Sequence, residues 1–313
     1  MTKAPTAVVF AYHNVGVRCL AVLLAHGVEV VRVITHRDNP AETIWFDSVA
    51  ELAGRYDIPV ITPENANDPA TVAELAALQP DFIFSFYYRQ MLGAPLLALP
   101  RRGAWNMHGS LLPKYRGRVP VNWAIIHGER ETGATLHEMV AKPDAGGIIA
   151  QQAVPILPDD TAFEVFNKVT VAAEMALDRI LPDLLAGHVH PLPQNLATGN
   201  YCGGRTAEDG RIDWNRSAAA IHNLIRAVAP PYPGAFFDTP QGRVRVLRSL
   251  RPLPQPGPFG RPTLFFDDRR LLAECGDGRV LPLLAVELAG APLQTTNDNP
   301  LGIFFGANTL PLT

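Results

Sequence analysis

Six consecutive residues, Asp81-Phe82-Ile83-Phe84-Ser85-Phe86, constrain this chain more than any other stretch. Almost every side chain is large and apolar, so neither face of a strand built from them can meet water. Such a run predicts a central parallel strand covered on both sides. Parallel neighbours need long crossovers, and the preceding sequence supplies them. Ala7 to Tyr12 reads as a first strand, and Gly16 to His26, rich in Leu and Ala, as a helix closed by Gly27. Val28 to Thr35 reads as a second strand. Strand, helix, strand in that order predicts a parallel sheet with right-handed crossovers. The first turn, Tyr12-His13-Asn14-Val15-Gly16, lacks Gly-x-Gly-x-x-Gly, which disfavours a dinucleotide pocket.

The same reasoning carries through the chain. Ser48 to Tyr56 suits a helix and Ile58 to Ile61 a short strand. Asp68-Pro69 supplies an N-cap and a first-turn proline for a helix ending near Gln79. Gly103 to His108 and Ala134 to Val140 read as further strands, with a helix at Pro120 to Gly128 between them. Thr161 and Glu164 form a capping box, and the helix behind it runs toward Gly187 with a break or kink expected before Pro182. Pro191 to Gly204 is rich in Pro, Gly and Asn and is expected to link two domains. Ser217 to Val228 reads as one more helix. Short apolar runs separated by Pro and Gly then begin at Ala235 and predict a small all-β barrel. The expected fold is therefore α/β: a Rossmann-like parallel-sheet domain at 1–203, a β-barrel domain at 204–300 and a weakly ordered tail at 301–313. There is no internal repeat.

The strand at Gly103 to His108 carries the chemistry. Side chains two apart on a strand share a face, so Asn106 and His108 reach one substrate while Met107 packs the other way. Asp144 follows the strand at Ala134 to Val140, beside Gly146 and Gly147, which permit close backbone approach or positive φ. An amide donates to a carbonyl oxygen, an imidazole moves a proton, and a carboxylate tunes the imidazole toward the imidazolium. His137 is assigned to packing or support of this group. Other classes are disfavoured. A net charge of −3 gives no basic face for nucleic acid. Cys19, Cys202 and Cys275 have no metal spacing, fit a reducing cytoplasm and argue against a disulfide framework. No signal peptide or membrane span is expected.

Asn106-Met107-His108-Gly109-Ser110-Leu111-Leu112-Pro113, followed downstream by Asp144-Ala145-Gly146-Gly147, resembles the folate-dependent formyltransferase family. Within it the resemblance is closest to the branch acting on UDP-4-amino-4-deoxy-L-arabinose, whose product serves lipid A modification and polymyxin resistance. The matching segments include Phe10-Ala11-Tyr12-His13, Thr35 to Pro40, Ser85 to Arg89, Gly204-Arg205-Thr206 and Pro233 to Phe236, so the likeness spans about Ala7 to Val280. It implies 10-formyltetrahydrofolate as co-substrate, no metal, an OB-like second domain, and Asn106, His108 and Asp144 as the catalytic three. Carried over by position, the folate contacts are Gln90, Met91 and Leu92, then Arg118, then Val140, Ala141, Lys142, Pro143 and Asp144. Gln90 stands where the sugar branch has His, a difference that matters little if these contacts are made by backbone. Without the resemblance, Gln90 to Leu92 reads as a solvated loop.

The acceptor is a primary amine. Methionyl-tRNA is the alternative to a nucleotide sugar. The loop His36 to Phe46 holds one Arg, two acidic residues and no Lys, where a tRNA-binding branch carries a basic insertion. A small nucleotide amino sugar is therefore preferred. A non-catalytic scaffold would not need Asn106, His108 and Asp144 together, and a formyl-folate hydrolase would carry an added N-terminal regulatory domain. Arg205, in Gly203-Gly204-Arg205-Thr206, offers a planar donor fork for the acceptor's diphosphate near an expected interdomain cleft. The related bifunctional enzymes continue into a decarboxylase domain, so this chain is expected to act alone; a homodimer stays open.

Overall fold

The computed structural model of the protein describes residues 4–267, 270–293, 301 and 308–312. The chain forms two compact units, one of residues 1–120, 131–154 and 167–203, the other of 121–130, 155–166 and 204–313. Two short segments that precede 203, 121–130 and 155–166, join the second unit.

The elements, in chain order, begin with β1 (Thr6–Ala11), α1 (His13–Ala25), β2 (Glu29–Ile34), α2 (Val49–Gly54), β3 (Val60–Ile61) and α3 (Pro69–Ala77). They continue with β4 (Phe82–Phe86), α4 (Ala94–Leu97), β5 (Ala104–His108), β6 (Arg116–Gly117), α5 (Pro120–Ile126), β7 (Glu131–Glu138), β8 (Ile148–Pro155), α6 (Ala162–Ala186) and β9 (Tyr201–Cys202). One sheet takes the order β3-β2-β1-β4-β5-β7-β8. Its first five strands are parallel, and β4, buried along its whole length, lies between β1 and β5 as its composition requires. Burying a side chain such as Phe82, Ile83, Phe84 or Phe86 contributes about 1.5–3 kcal/mol. β7 runs antiparallel to β5, which sets Asn106 opposite His137 and His108 opposite Thr135. That reversal, and β8, are not visible in the pattern of the sequence.

Several local signals behave differently in three dimensions. Helix α1 starts at His13 rather than Gly16, with His13 at φ 66°, and ends before Gly27 at φ +72°. The Asp68 side chain does not cap α3; it accepts from Asn65 instead. Glu164 accepts from both the Thr161 N–H (2.7 Å) and its hydroxyl, so this box works through the glutamate alone. The expected break at Pro182 is absent: α6 runs through it. An interior proline costs about 3 kcal/mol. Leu177, Leu181 and Leu184, all buried on either side of it, offset that cost. The stretch Pro191 to Gly204 is more than a link, because β9 within it pairs with β6.

The second unit holds α7 (Ala218–Ala227), β10 (Ala235–Thr239), β11 (Gly242–Ser249), β12 (Thr263–Asp267), β13 (Arg270–Glu274), β14 (Val280–Leu288), β15 (Ala291–Pro292) and β16 (Thr309–Pro311). Ser217 caps α7 by accepting from Ala220 N. The strands form a curled antiparallel sheet in the order β10-β11-β14-β13-β12-β16, with Trp214, Ile221, Ile225, Val246 and Leu281 among its core. Of the tail expected to be weakly ordered, 302–307 and 313 lie outside the described residues, while Thr309–Pro311 is a strand against β12.

Candidate active site

The catalytic candidates converge in the first unit, at the C-terminal end of β5, the edge where parallel sheets bind ligands. Asp144 Oδ1 lies 3.5 Å from Asn106 Nδ2 and 3.6 Å from His108 Nδ1. Asn106 and His108 therefore do share a strand face, and the loop after β7 delivers the carboxylate to both.

The partners assign the protons. His108 Nε2 stands 2.8 Å from the Tyr115 carbonyl, which can only accept, so Nε2 carries the hydrogen and Nδ1 faces Asp144. His137 Nδ1 similarly meets the Glu138 carbonyl at 2.8 Å, leaving Nε2 to receive Asn106 Nδ2 at 3.1 Å. One amide N–H of Asn106 is thus committed to His137; the other makes only the long contact with Asp144. His137 is buried and accepts from Asn106, so it orients one of the three candidates rather than only filling space. The signal was legible: Thr135-x-His137 alternates on β7 as Asn106-x-His108 does on β5.

Burial pushes the Asp144 carboxyl up, but His108 and the Gly117 N–H together hold it well below the usual carboxylate range. Asp144 is ionised at every working pH. Its backbone sits at φ 50°, a region that Asp tolerates better than most residues. Gln194 Nε2 fixes this loop, donating to the Asp144 carbonyl (3.0 Å) and the Gly146 carbonyl (2.7 Å). Gly146 and Gly147 serve closeness to the chain itself: a Cβ on the first would strike the Glu138 carbonyl and on the second Pro191. Neither has positive φ, which corrects that expectation.

The turn after β5 is held as firmly. The Thr135 hydroxyl donates to the Ser110 carbonyl (2.6 Å) and accepts from Leu112 N (3.2 Å), while Gln151 reaches the Leu112 carbonyl (2.9 Å). Gly117 in β6, at φ +96°, donates its N–H to Asp144 Oδ2 at 2.8 Å. Its neighbours pair with β9: Arg116 N to Asn200 O (3.1 Å) and Arg118 N to Cys202 O (2.9 Å). Gln151 and Gln194 are contributions that no motif reading singled out.

The expected folate contacts divide. The Gln90 side chain is spent on the chain, accepting from Ala66 N (2.9 Å) and donating to Glu64 O (2.6 Å). Met91 is exposed, Leu92 is buried in the core and the Arg118 side chain is exposed. Val140, Ala141 and Lys142 are exposed too, and among the described residues their backbone N–H and C=O groups make no hydrogen bond within the chain. Arg205 belongs to the second unit, stacked 4.8 Å from the Trp123 ring and donating to the Asp209 carbonyl (2.8 Å). Among the described residues no group of His, Cys, Asp or Glu could hold a metal, and no helix is long and apolar enough to cross a membrane.

Two family models match the chain: formyl transferase over residues 18–181, and the formyl transferase C-terminal domain over 205–298. Among solved structures, an N-formyltransferase from Helicobacter canadensis, in complex with folinic acid and dTDP-3-aminofucose, superposes with TM-score 0.72 at 21% identity, covering 90% of this chain and 99% of that one. WlaRD, a sugar 3N-formyl transferase solved with dTDP and 5-N-formyl-THF, gives TM-score 0.72 at 20% identity, covering 90% and 97%. A sugar N-formyltransferase from a Shewanella species gives 0.62 at 21%, covering 80% and 99%. These likenesses establish a shared fold.

Proposed function

This chain belongs to the formyl transferase family, and on that premise we propose that it moves a formyl group from 10-formyltetrahydrofolate to the primary amine of a nucleotide-linked amino sugar. The finer reading is UDP-4-amino-4-deoxy-L-arabinose, the acceptor of the branch its sequence resembles most, with lipid A modification as the role. The observation that carries the formyl-transfer reading is the meeting of Asn106, His108 and Asp144 at the end of β5. Relatives of the same fold solved with nucleotide or nucleotide-sugar ligands support the acceptor class.

The co-substrate supplies an activated formyl group; the chain's residues do the rest. As the amine nitrogen adds to the formyl carbon, Asn106 directs its uncommitted N–H at the developing oxyanion, a contact worth about 3–4 kcal/mol in comparable sites. His108 takes the proton the amine must lose at Nδ1, the nitrogen not committed to Tyr115, and returns it to the departing folate nitrogen. Asp144, ionised throughout, stabilises the imidazolium that exists between these events. The main chain at Gln90 to Leu92, with Arg118 and the main chain at Val140 to Pro143, lines the co-substrate. Arg205 binds the acceptor's diphosphate.

An amine-acceptor assay with 10-formyltetrahydrofolate tests this, comparing UDP-amino sugars, dTDP-amino sugars and charged initiator tRNA. Turnover is expected with the nucleotide sugars, fastest with the 4-amino-arabinose compound. Efficient formylation of tRNA alone would overturn the acceptor assignment.

A further inference from the structure

Away from Asn106, His108 and Asp144, the first unit holds a cavity of about 300 Å³ beyond the C-terminal ends of β1 and β2. Its lining includes the rings of Tyr12, His36 and Phe46, with Asp38, Asp47 and Ser48 around them. A second cavity of about 270 Å³ shares His36 and Arg37 with it. We propose that the first cavity is the slot for the base of the acceptor's nucleotide, an inference that rests on the nucleotide-sugar reading above.

Three features of the slot fit a heteroaromatic base. Its rings are held in place before any ligand arrives. Tyr12 donates its hydroxyl to Asp38 (2.8 Å) and lies under the Arg89 guanidinium at 4.7 Å, and Arg89 in turn grips Glu42 through two hydrogen bonds of 2.9 and 2.8 Å. His36 stacks on Tyr88 at 4.1 Å and accepts from the Arg89 N–H, while Phe46 is stacked by His13 at 3.9 Å. A preset aromatic wall binds a flat ring at little entropic cost. The wall is also uncharged at neutral pH, because burial first and Arg89 second lower His36 to about 4 and His13 to about 3.

Hydrogen-bonding capacity is the second feature. Among the described residues, Asp38 Oδ2 and the Asp47 carboxylate accept no hydrogen bond from the chain, and Ser48 keeps its hydroxyl hydrogen after accepting from Glu51 N. Carboxylates accept from a base N–H, and a hydroxyl donates to a base carbonyl. The third feature is distance. Neighbouring strands lie about 4.8 Å apart, so β5 is about 10 Å from β1 and about 14 Å from β2 in the order β2-β1-β4-β5. A ribose and a diphosphate can span a lateral offset of that size between the slot and the end of β5.

Calorimetric titration of the whole protein with UDP, dTDP and GDP, and separately with 5-formyltetrahydrofolate, tests the slot in wild type, Asp47→Asn and Phe46→Leu. Asp47 is exposed, so its replacement spares the fold. The expected result is one nucleoside diphosphate preferred by wild type, its Kd raised tenfold or more in both variants, and folate affinity kept. Unchanged nucleotide affinity in both variants overturns the slot while the acceptor reading stands. Wild type that binds none of the three nucleotides overturns both.

Discussion

Replacing Gly117 by alanine probes how the active site is held. Gly117 is at φ +96°, where an L side chain is strained, and its new Cβ would collide with the Cys202 carbonyl oxygen and lie 3.0 Å from the Tyr201 ring. The carbonyl is main chain and cannot swing aside, so β6 and β9 must part. Parting them loses the Arg116 and Arg118 hydrogen bonds to β9, about 0.5–1.5 kcal/mol each. It also draws the Gly117 N–H from the Asp144 carboxylate, a bond to a charged group worth about 1.5–3 kcal/mol. The total, of order 3–6 kcal/mol, corresponds to a fall in Tm of roughly 6–12 °C for a chain of this size. The loss at Asp144 alone translates into roughly a tenfold to hundredfold drop in kcat, since about 1.4 kcal/mol is a factor of ten. Thermal melts and steady-state formyl transfer read the two effects, with Gly54→Ala as control, where an added Cβ meets nothing within 4 Å. Wild-type Tm and kcat in Gly117→Ala would refute the claim that β9 holds Asp144 in place through Gly117.

Asn106→Ala and His108→Ala are each expected to lower kcat by roughly a hundredfold or more with folate affinity little changed; near-normal turnover in either removes its assigned role. For Asp144 the folded pKa is depressed, so its carboxylate contributes stability that is fully present above about pH 4, its unfolded value, and is lost as pH falls below that. Denaturant unfolding should therefore show wild type more stable than Asp144→Asn by a constant margin at neutral pH that narrows below pH 4, and a margin flat down to pH 2 would contradict the hydrogen-bonding account. Arg205→Ala should raise KM for the nucleotide sugar severalfold, with Arg205→Lys recovering part of the loss because the charge returns without the planar fork. An unchanged KM would remove Arg205 from the acceptor site.

The sequence by itself determined the first unit's plan and which residues are candidates for its chemistry. An apolar run at 82–86 has one stable destination, between other strands under helices, and a two-residue spacing puts Asn106 and His108 on one face wherever the strand lies. Tertiary structure decided how Asp144 reaches them and what holds it there. The antiparallel turn of β7 brings His137 opposite Asn106, and the pairing of β6 with β9 aims the Gly117 N–H at the carboxylate. Gln194, in a stretch whose composition reads only as a linker, locks the Asp144 loop from outside. Pro182 shows the same limit from the other side, its local preference for a break overruled by the leucines buried around it. Periodicity and spacing encode which way a side chain faces along its own element. Contacts between residues tens of positions apart depend on which elements become neighbours, and that is set by burial summed over the whole chain.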